Sequence, residues 1–261
     1  MISTYFRALA VQKRSLWALS LREVMVKHGR HRIGYLWELL KTAFGVVVFW
    51  VIREAMGFKA PYGMPLPIFL LTGFVVWHIF SDNVSRAAQT VRSNKAMLAY
   101  PQVTQLDLHL AGLIVIWVTE VLILGIFLLV VNFLGYKFAL QDYITFLSAI
   151  LGIGVFSLAV GLVIAALKVY LPVLEKIVPM IMRILFFTSG VFFSPDRFAG
   201  KIGDVLMWNP VACYIELVRS TFWSSTAYLS PHMGFIVTST VVALALGLLL
   251  ERHVRRITEQ E

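Results

Sequence analysis

The chain has 261 residues, 59% hydrophobic and 14% charged, with a formal net charge of +9 and a mean hydropathy of +0.80. That is more apolar side chain than the interior of a water-soluble fold holds, so the composition excludes a soluble globular protein and makes the bilayer the solvent. One cysteine, Cys213, excludes an internal disulfide and a cysteine-ligated metal cluster, and the basic excess lies in connecting segments as topology and anionic headgroups require, so no nucleic-acid partner is expected.

Residues 1–33 read as a basic amphipathic entry segment. Trp17, Leu21, Val24 and Met25 fall on one helical face, with Arg22, Glu23 and Lys27 on the other, which predicts a helix lying along the cytoplasmic interface. Charges at Arg7, Lys13, Arg14 and Arg22 interrupt any apolar run there, so a cleavable signal peptide is not expected.

Six apolar runs follow, each near the length of about 20 residues that a span requires. The first extends from Ile33 to about Met56, with Glu38 and Lys41 in its early turns. Pro61, Pro65 and Pro67 mark a short connection, after which Leu66 to about Ser85 forms the second. The third runs from about Leu106 to Leu134, and the fourth from Tyr143 to Leu167, where Gly152, Gly154 and Gly161 permit close helix packing. The fifth is expected over Ile177–Phe193. Residues 194–231 are too charged and too short to cross simply and are expected to form re-entrant or interfacial helices, with Asn209-Pro210 as a helix start and Glu216 and Arg219 paired at i, i+3. The last span covers Gly234–Leu250, stopped by Glu251, Arg252, Arg255 and Arg256.

The predicted fold is therefore an all-α integral membrane protein, a single domain over 1–261. Its parts are an interfacial helix and basic linker (1–33), spans one to five (34–193), a helical region on the far side (194–231), and the last span with its tail (232–261). With the N-terminus inside, fifteen Lys and Arg face the cytoplasm against six outside, so both termini are expected to be cytoplasmic. Residues 35–134 and 143–250 show no convincing repeat, which leaves an inverted-repeat secondary transporter without support.

No phosphate loop, zinc-protease motif or nucleophile elbow is present, so neither ATP hydrolysis nor other enzymatic activity is expected of this chain alone. A membrane enzyme acting on lipid-linked sugars would show a cluster of carboxylates or histidines, and the sequence displays none. The histidines 28, 31, 78, 109, 232 and 253 are scattered, and no metal site is expected. Glu120, in the middle of the third span, suits a charge partner or a hydrogen bond across helices.

The run Leu21-Arg22-Glu23, then Gly29-Arg30-His31-Arg32-Ile33-Gly34-Tyr35-Leu36-Trp37, resembles the N-terminal signature of membrane subunits of polysaccharide-exporting ABC transporters, above all the capsule-polysaccharide permeases of Gram-negative bacteria. The resemblance extends over the whole chain through Phe69-Leu70-Leu71-x-Gly73, the loop Asn94–Asp107 with Tyr100-Pro101, Trp208-Asn209-Pro210, and Glu216-Leu217-Val218-Arg219. It implies a bacterial inner-membrane half-transporter, in which a homodimer of this chain joins two separate ATPase subunits. The chain itself carries no cofactor; ATP and Mg²⁺ belong to the ATPase. The cargo implied is lipid-linked capsular polysaccharide, with O-antigen, teichoic acid or a small hydrophobic compound as alternatives. A periplasmic co-polymerase and an outer-membrane export protein are the further partners.

By the same resemblance the N-terminal helix is a cytoplasmic gate, carried by Trp17, Leu21, Arg22 and Glu23, and residues 86–101 form a coupling helix that docks into the ATPase through Arg92, Lys95, Tyr100 and Pro101. A hydrated glycan requires aromatic faces, hydroxyl and amide partners, and cations if it is acidic. Arg183 in the fifth span is the candidate pore-facing cation, with snorkelling to the interface as its alternative. Tyr35, Trp37, Phe186 and Phe187 are candidate stacking surfaces on the substrate path, although Tyr35, Trp37 and Trp77 also suit an interfacial aromatic belt.

Overall fold

In the computed structural model, which describes residues 2–28, 33–93, 104–195, 198, 201–223 and 232–258, the basic opening segment forms one helix, α1 (Ile2–His28), and the first apolar run forms α2 (Ile33–Ala55). A single 3₁₀ turn over Pro61–Gly63 leads into α3 (Leu66–Ser93). Ile68, Phe69, Leu70, Leu71, Val75, Val76 and Ile79 are all buried, so the first half of α3 is apolar on every side and takes the centre of the bundle. Around it pack α2, α4 (Gln105–Phe133) and α5 (Tyr143–Tyr170), while α9 (Met233–Thr258) lies against α5.

Polar residues at the helix ends fix where the chain enters the apolar layer. Thr104 opens α4 with a capping box: its hydroxyl accepts from the Asp107 amide at 3.2 Å, and Asp107 Oδ2 accepts from the Thr104 amide at 3.0 Å. Asp142 caps α5 by accepting from the amides of Ile144 and Thr145, each at 3.0 Å. Hydrogen bonds from the Thr145 hydroxyl and amide, then from the Ile144 amide, hold the Asp142 carboxyl below the usual carboxylate range. The glycines of α5 do allow close approach, on opposite sides of the helix: an added Cβ would stand 2.7 Å from the Tyr214 ring at Gly152 and 2.7 Å from Ala87 Cβ at Gly161.

The described residues contain no strand, and four of their helical stretches are long and apolar enough to cross a bilayer: Leu66–Ala87, Gln105–Phe133, Tyr143–Tyr170 and Met233–Arg256. The fifth apolar run departs from expectation. Instead of continuing through Phe193, α6 spans Leu174–Thr188, whose 15 residues rise about 22 Å, short of a hydrocarbon core of about 30 Å. The Ser189 amide makes the last helical bond, to the Leu185 carbonyl at 2.8 Å, and the helix stops because Gly190, at φ +76°, turns the backbone left-handed. Phe192 and Phe193 then fold back on the bundle, followed by α7 (Lys201–Leu206) and α8 (Pro210–Ser220).

Candidate functional site

Two of the segments that carry the sequence signature, Phe69–Gly73 and Glu216–Arg219, are distant in the chain and meet on the Arg219 side chain. Asn209 starts α8, its side-chain oxygen accepting from the Val211 amide at 3.0 Å, and its Nδ2 donates to Ser189 Oγ at 2.9 Å, which fastens α8 to the end of α6. At the penultimate position of α8, Arg219 Nη1 donates to Glu216 Oε1 at 2.7 Å and to the carbonyls of Gly190 and Phe193 at 2.8 and 3.3 Å. Its Nη2 donates to the carbonyls of Val191 and Phe69 at 2.9 and 3.1 Å, and its guanidinium carbon lies 3.5 Å from the Phe69 ring centroid. Gly73 leaves the room for this: a Cβ there would stand 2.8 Å from Nη2 and 3.0 Å from the Val191 carbonyl oxygen. Ser194 Oγ donates to the second Glu216 oxygen at 3.2 Å. A buried charge is thus neutralised by one carboxylate while its fork satisfies the carbonyls of the non-helical turn after α6 and reaches the Phe69 carbonyl in the first turn of α3.

A second junction holds α1. Arg86 Nε donates to Glu23 Oε1 at 2.7 Å and Nη1 to the Leu108 carbonyl at 3.2 Å, so one α3 side chain ties α1 to α4. Gly112 makes the notch, because a Cβ at that position would overlap the Arg86 guanidinium. Leu19 packs with Leu108 and Ala111 beside it, whereas Trp17, Leu21 and Met25 remain exposed on the opposite side of the helix. The expected apolar stripe therefore faces away from the protein. Glu23, expected on the water-facing side, instead pairs with α3.

The candidate path residues occupy several environments. Trp37 on α2 and Phe187 on α6 are 69% and 61% exposed, and Arg183 is exposed on the same α6 surface as Met180 and Ile184. Phe186 is half-buried in an aromatic cluster, 5.0 Å from Phe192, 5.8 Å from Phe74 and 5.4 Å from Trp77 between ring centroids, so much of its face is covered by the protein itself. Tyr35 lies in α2 and Arg92 in α3, with side chains outside the described set; Lys95, Tyr100 and Pro101 lie outside the described residues.

The sequence presented Glu120 as a lone carboxylate. In the structure it lies beside His78 and Thr42, with Glu38 and Asp82 near it. The available signal was the spacing of Glu38 with Lys41 on α2 and of His78 with Asp82 on α3, which places each pair on one helix face.

Residues 14–223, which include the Arg219 junction and the Glu23–Arg86 pair, match the family described as ABC-2 type transporter. The chain belongs to the ABC-2 type transporter family. It is 25% identical over 242 residues to the polysialic acid transport protein KpsM of Escherichia coli, covering 93% of this chain and 94% of that protein. It is also 26% identical over 254 residues to the capsule polysaccharide export inner-membrane protein BexB of Haemophilus influenzae, covering 96% and 95%, and 25% identical over 249 residues to CtrC, of the same description, from Neisseria meningitidis, covering 94% and 93%.

In this ABC-2 transporter chain, Gly112→Ala is expected to push the Arg86 guanidinium away from Glu23 at small cost to the fold, since the displaced group is the end of a flexible side chain. Hydrogen exchange should rise several-fold in α1 and stay slow in α3 to α5. A double-mutant cycle with Glu23→Gln and Arg86→Gln should give a coupling on the order of 1 kcal/mol. Unchanged exchange in α1 would show that this pair does not hold the helix.

Proposed function

We propose that this chain is the permease subunit that exports lipid-linked capsular polysaccharide across a bacterial inner membrane, powered by ATP hydrolysis on a separate ATPase chain that binds ATP and Mg²⁺. The observation that carries the reading is its similarity, over nearly the full length of each, to capsule-export membrane proteins. The lack of a phosphate loop fits the division of labour. Two copies of the chain form the path and two ATPase subunits dock from the cytoplasm. In this reading α2 crosses the membrane with α3, α4, α5 and α9, and α6, too short to cross alone, completes a sixth crossing together with the chain that follows it, which leaves both termini cytoplasmic. Residues 1–33 form the gate and linker, and 194–231 form the helical cap at the periplasmic face, where a co-polymerase and the outer-membrane export protein continue the route.

Nucleotide binding closes the ATPase pair, and residues 86–101 receive that motion. Their first part belongs to α3, whose 28 residues form a rod about 42 Å long through the centre of the bundle. A push at its cytoplasmic end is therefore delivered to α2, α4 and α5 together, and through Arg86 to the α1 gate. ATP then shifts the equilibrium between exposures of the path by its differential affinity for them. The exposed surfaces of α2 and α6 line the path. Trp37, Phe187, Tyr35 and the uncovered part of Phe186 stack on sugar C–H faces, and Arg183 pairs with anionic groups of the polymer.

The test is co-purification with the ATPase encoded beside this chain, then hydrolysis in nanodiscs with and without the host's lipid-linked polysaccharide. A complex of two chains with two ATPases, stimulated by that glycan, is the expected result. A complex stimulated only by O-antigen or teichoic acid would reassign the cargo. Failure to bind any ATPase would overturn the reading.

A further inference from the structure

Where α2, α3 and α4 meet, the apolar interior holds polar side chains that export of a glycan does not require. Glu38 and Lys41 come from α2, His78 and Asp82 from α3, and Glu120 from α4. One carboxylate oxygen from each of Glu38, Asp82 and Glu120 lies within 4.8 Å of the other two. Glu120 is only 2% exposed, and its Oε2 has no hydrogen-bond partner among the described residues. The neighbouring His78 Nδ1 is 3.8 Å away and shares a hydrogen bond with Thr42 Oγ1 at 3.1 Å. Lys41 Nζ reaches Asp82 Oδ2 at 3.4 Å from a position whose side chain is 45% exposed.

Charge and geometry together identify what would complete this group. Beside the Asp82–Lys41 pair, the Glu120 carboxylate sits in a low-dielectric interior with Oε2 lacking a hydrogen bond among the described residues, an arrangement that is costly unless a cation joins it. All-oxygen donors favour a hard cation. Their spacing suits Ca²⁺, whose ligands lie at about 2.3–2.6 Å, better than Mg²⁺ at about 2.0–2.1 Å, which would require the three helices to close in. An open cavity of about 300 Å³, bordered by Asp82, Ser85, Arg86 and Glu23, adjoins the group and gives an ion a way in.

We propose that Glu38, Asp82 and Glu120 form a divalent-cation site that pins α2 to the α3–α4 scaffold. Water, or the imidazole of His78, completes the coordination. Lys41 stands at the rim as the competing charge, so its ammonium weakens the site rather than building it.

The site is tested on the full chain in nanodiscs, without ATPase or nucleotide, by electron paramagnetic resonance titration with Mn²⁺ and competition by Ca²⁺. Saturable binding of one Mn²⁺ per chain, displaced by Ca²⁺, is expected, with affinity falling at least about tenfold in Glu38→Gln and in Asp82→Asn. Both residues sit at the open side of the group, so these variants keep the test available if Glu120→Gln fails to fold. Lys41→Met should bind Mn²⁺ more tightly. Absence of saturable binding, binding undiminished in both carboxylate variants, or weakened binding in Lys41→Met would each overturn the site. None of these readouts involves a glycan or an ATPase, so the outcome is independent of the cargo.

Discussion

Arg219→Ala is expected to destabilise the folded chain by about 3–5 kcal/mol, the usual consequence of removing one member of a buried ion pair. The substitution strands Glu216, whose remaining hydrogen bond among the described residues is from the Ser194 hydroxyl, and it takes a donor at once from the carbonyls of Gly190, Val191, Phe193 and Phe69, the last of which keeps the Thr72 hydroxyl. The apparent Tm in detergent should fall by roughly 10 °C, given about 2–4 °C per kcal/mol for a chain of this size. Arg219→Lys keeps the charge but cannot bond in two directions while stacking on Phe69, so it should fall between wild type and alanine. Arg219→Met combined with Glu216→Gln removes both charges and should recover part of the loss. An alanine variant that melts with wild type would mean that the junction is not what joins α8 to α3.

The second large effect is expected at the two glycines that seat α5 between its neighbours. A Cβ on Gly247 would stand 2.8 Å from the Ala159 carbonyl oxygen and 3.1 Å from Leu162 Cβ, and one on Gly161 would stand 2.7 Å from Ala87 Cβ. These are backbone atoms or first side-chain carbons and cannot swing aside, so α9 or α3 must move as a whole. Alanine at either position should cost about 1–3 kcal/mol, and leucine should prevent the native packing. Gly125 supplies the control: it lies within α4 with nothing within 4 Å of an added Cβ, so Gly125→Ala should be neutral or slightly stabilising. Fraction folded after heating, followed by size-exclusion profile, separates the three positions. Equal tolerance at all of them would show that close approach does not limit the bundle.

Local features were legible in the sequence because they depend on neighbours in the chain. The third apolar run, expected from about Leu106 to Leu134, is the helix Gln105–Phe133, bounded by a cap that any Thr-x-x-Asp segment can form. Asn209-Pro210 starts α8, and Glu216 pairs with Arg219, as their spacing requires. The early end of α6 was less legible. Apolar composition continues past Thr188, and only the left-handed Gly190 stops the helix.

What the sequence by itself determined is a chain of apolar helices with capped ends, a basic amphipathic entry and membership of the ABC-2 type transporter family. Only the tertiary structure decided that Arg219 reaches Phe69 across 150 positions, that Glu23 finds Arg86, and that three carboxylates from α2, α3 and α4 converge. The physical reason lies in the solvent. In water a helix marks its buried face by contrast with a polar one, whereas in a bilayer lipid-facing and protein-facing surfaces are both apolar, as α4 illustrates with Ile123 and Leu124 buried and Leu122 and Ile126 exposed. Periodicity then gives the helices but not their neighbours, and the polar contacts between them are set by where small residues such as Gly73, Gly112 and Gly161 let the helices approach.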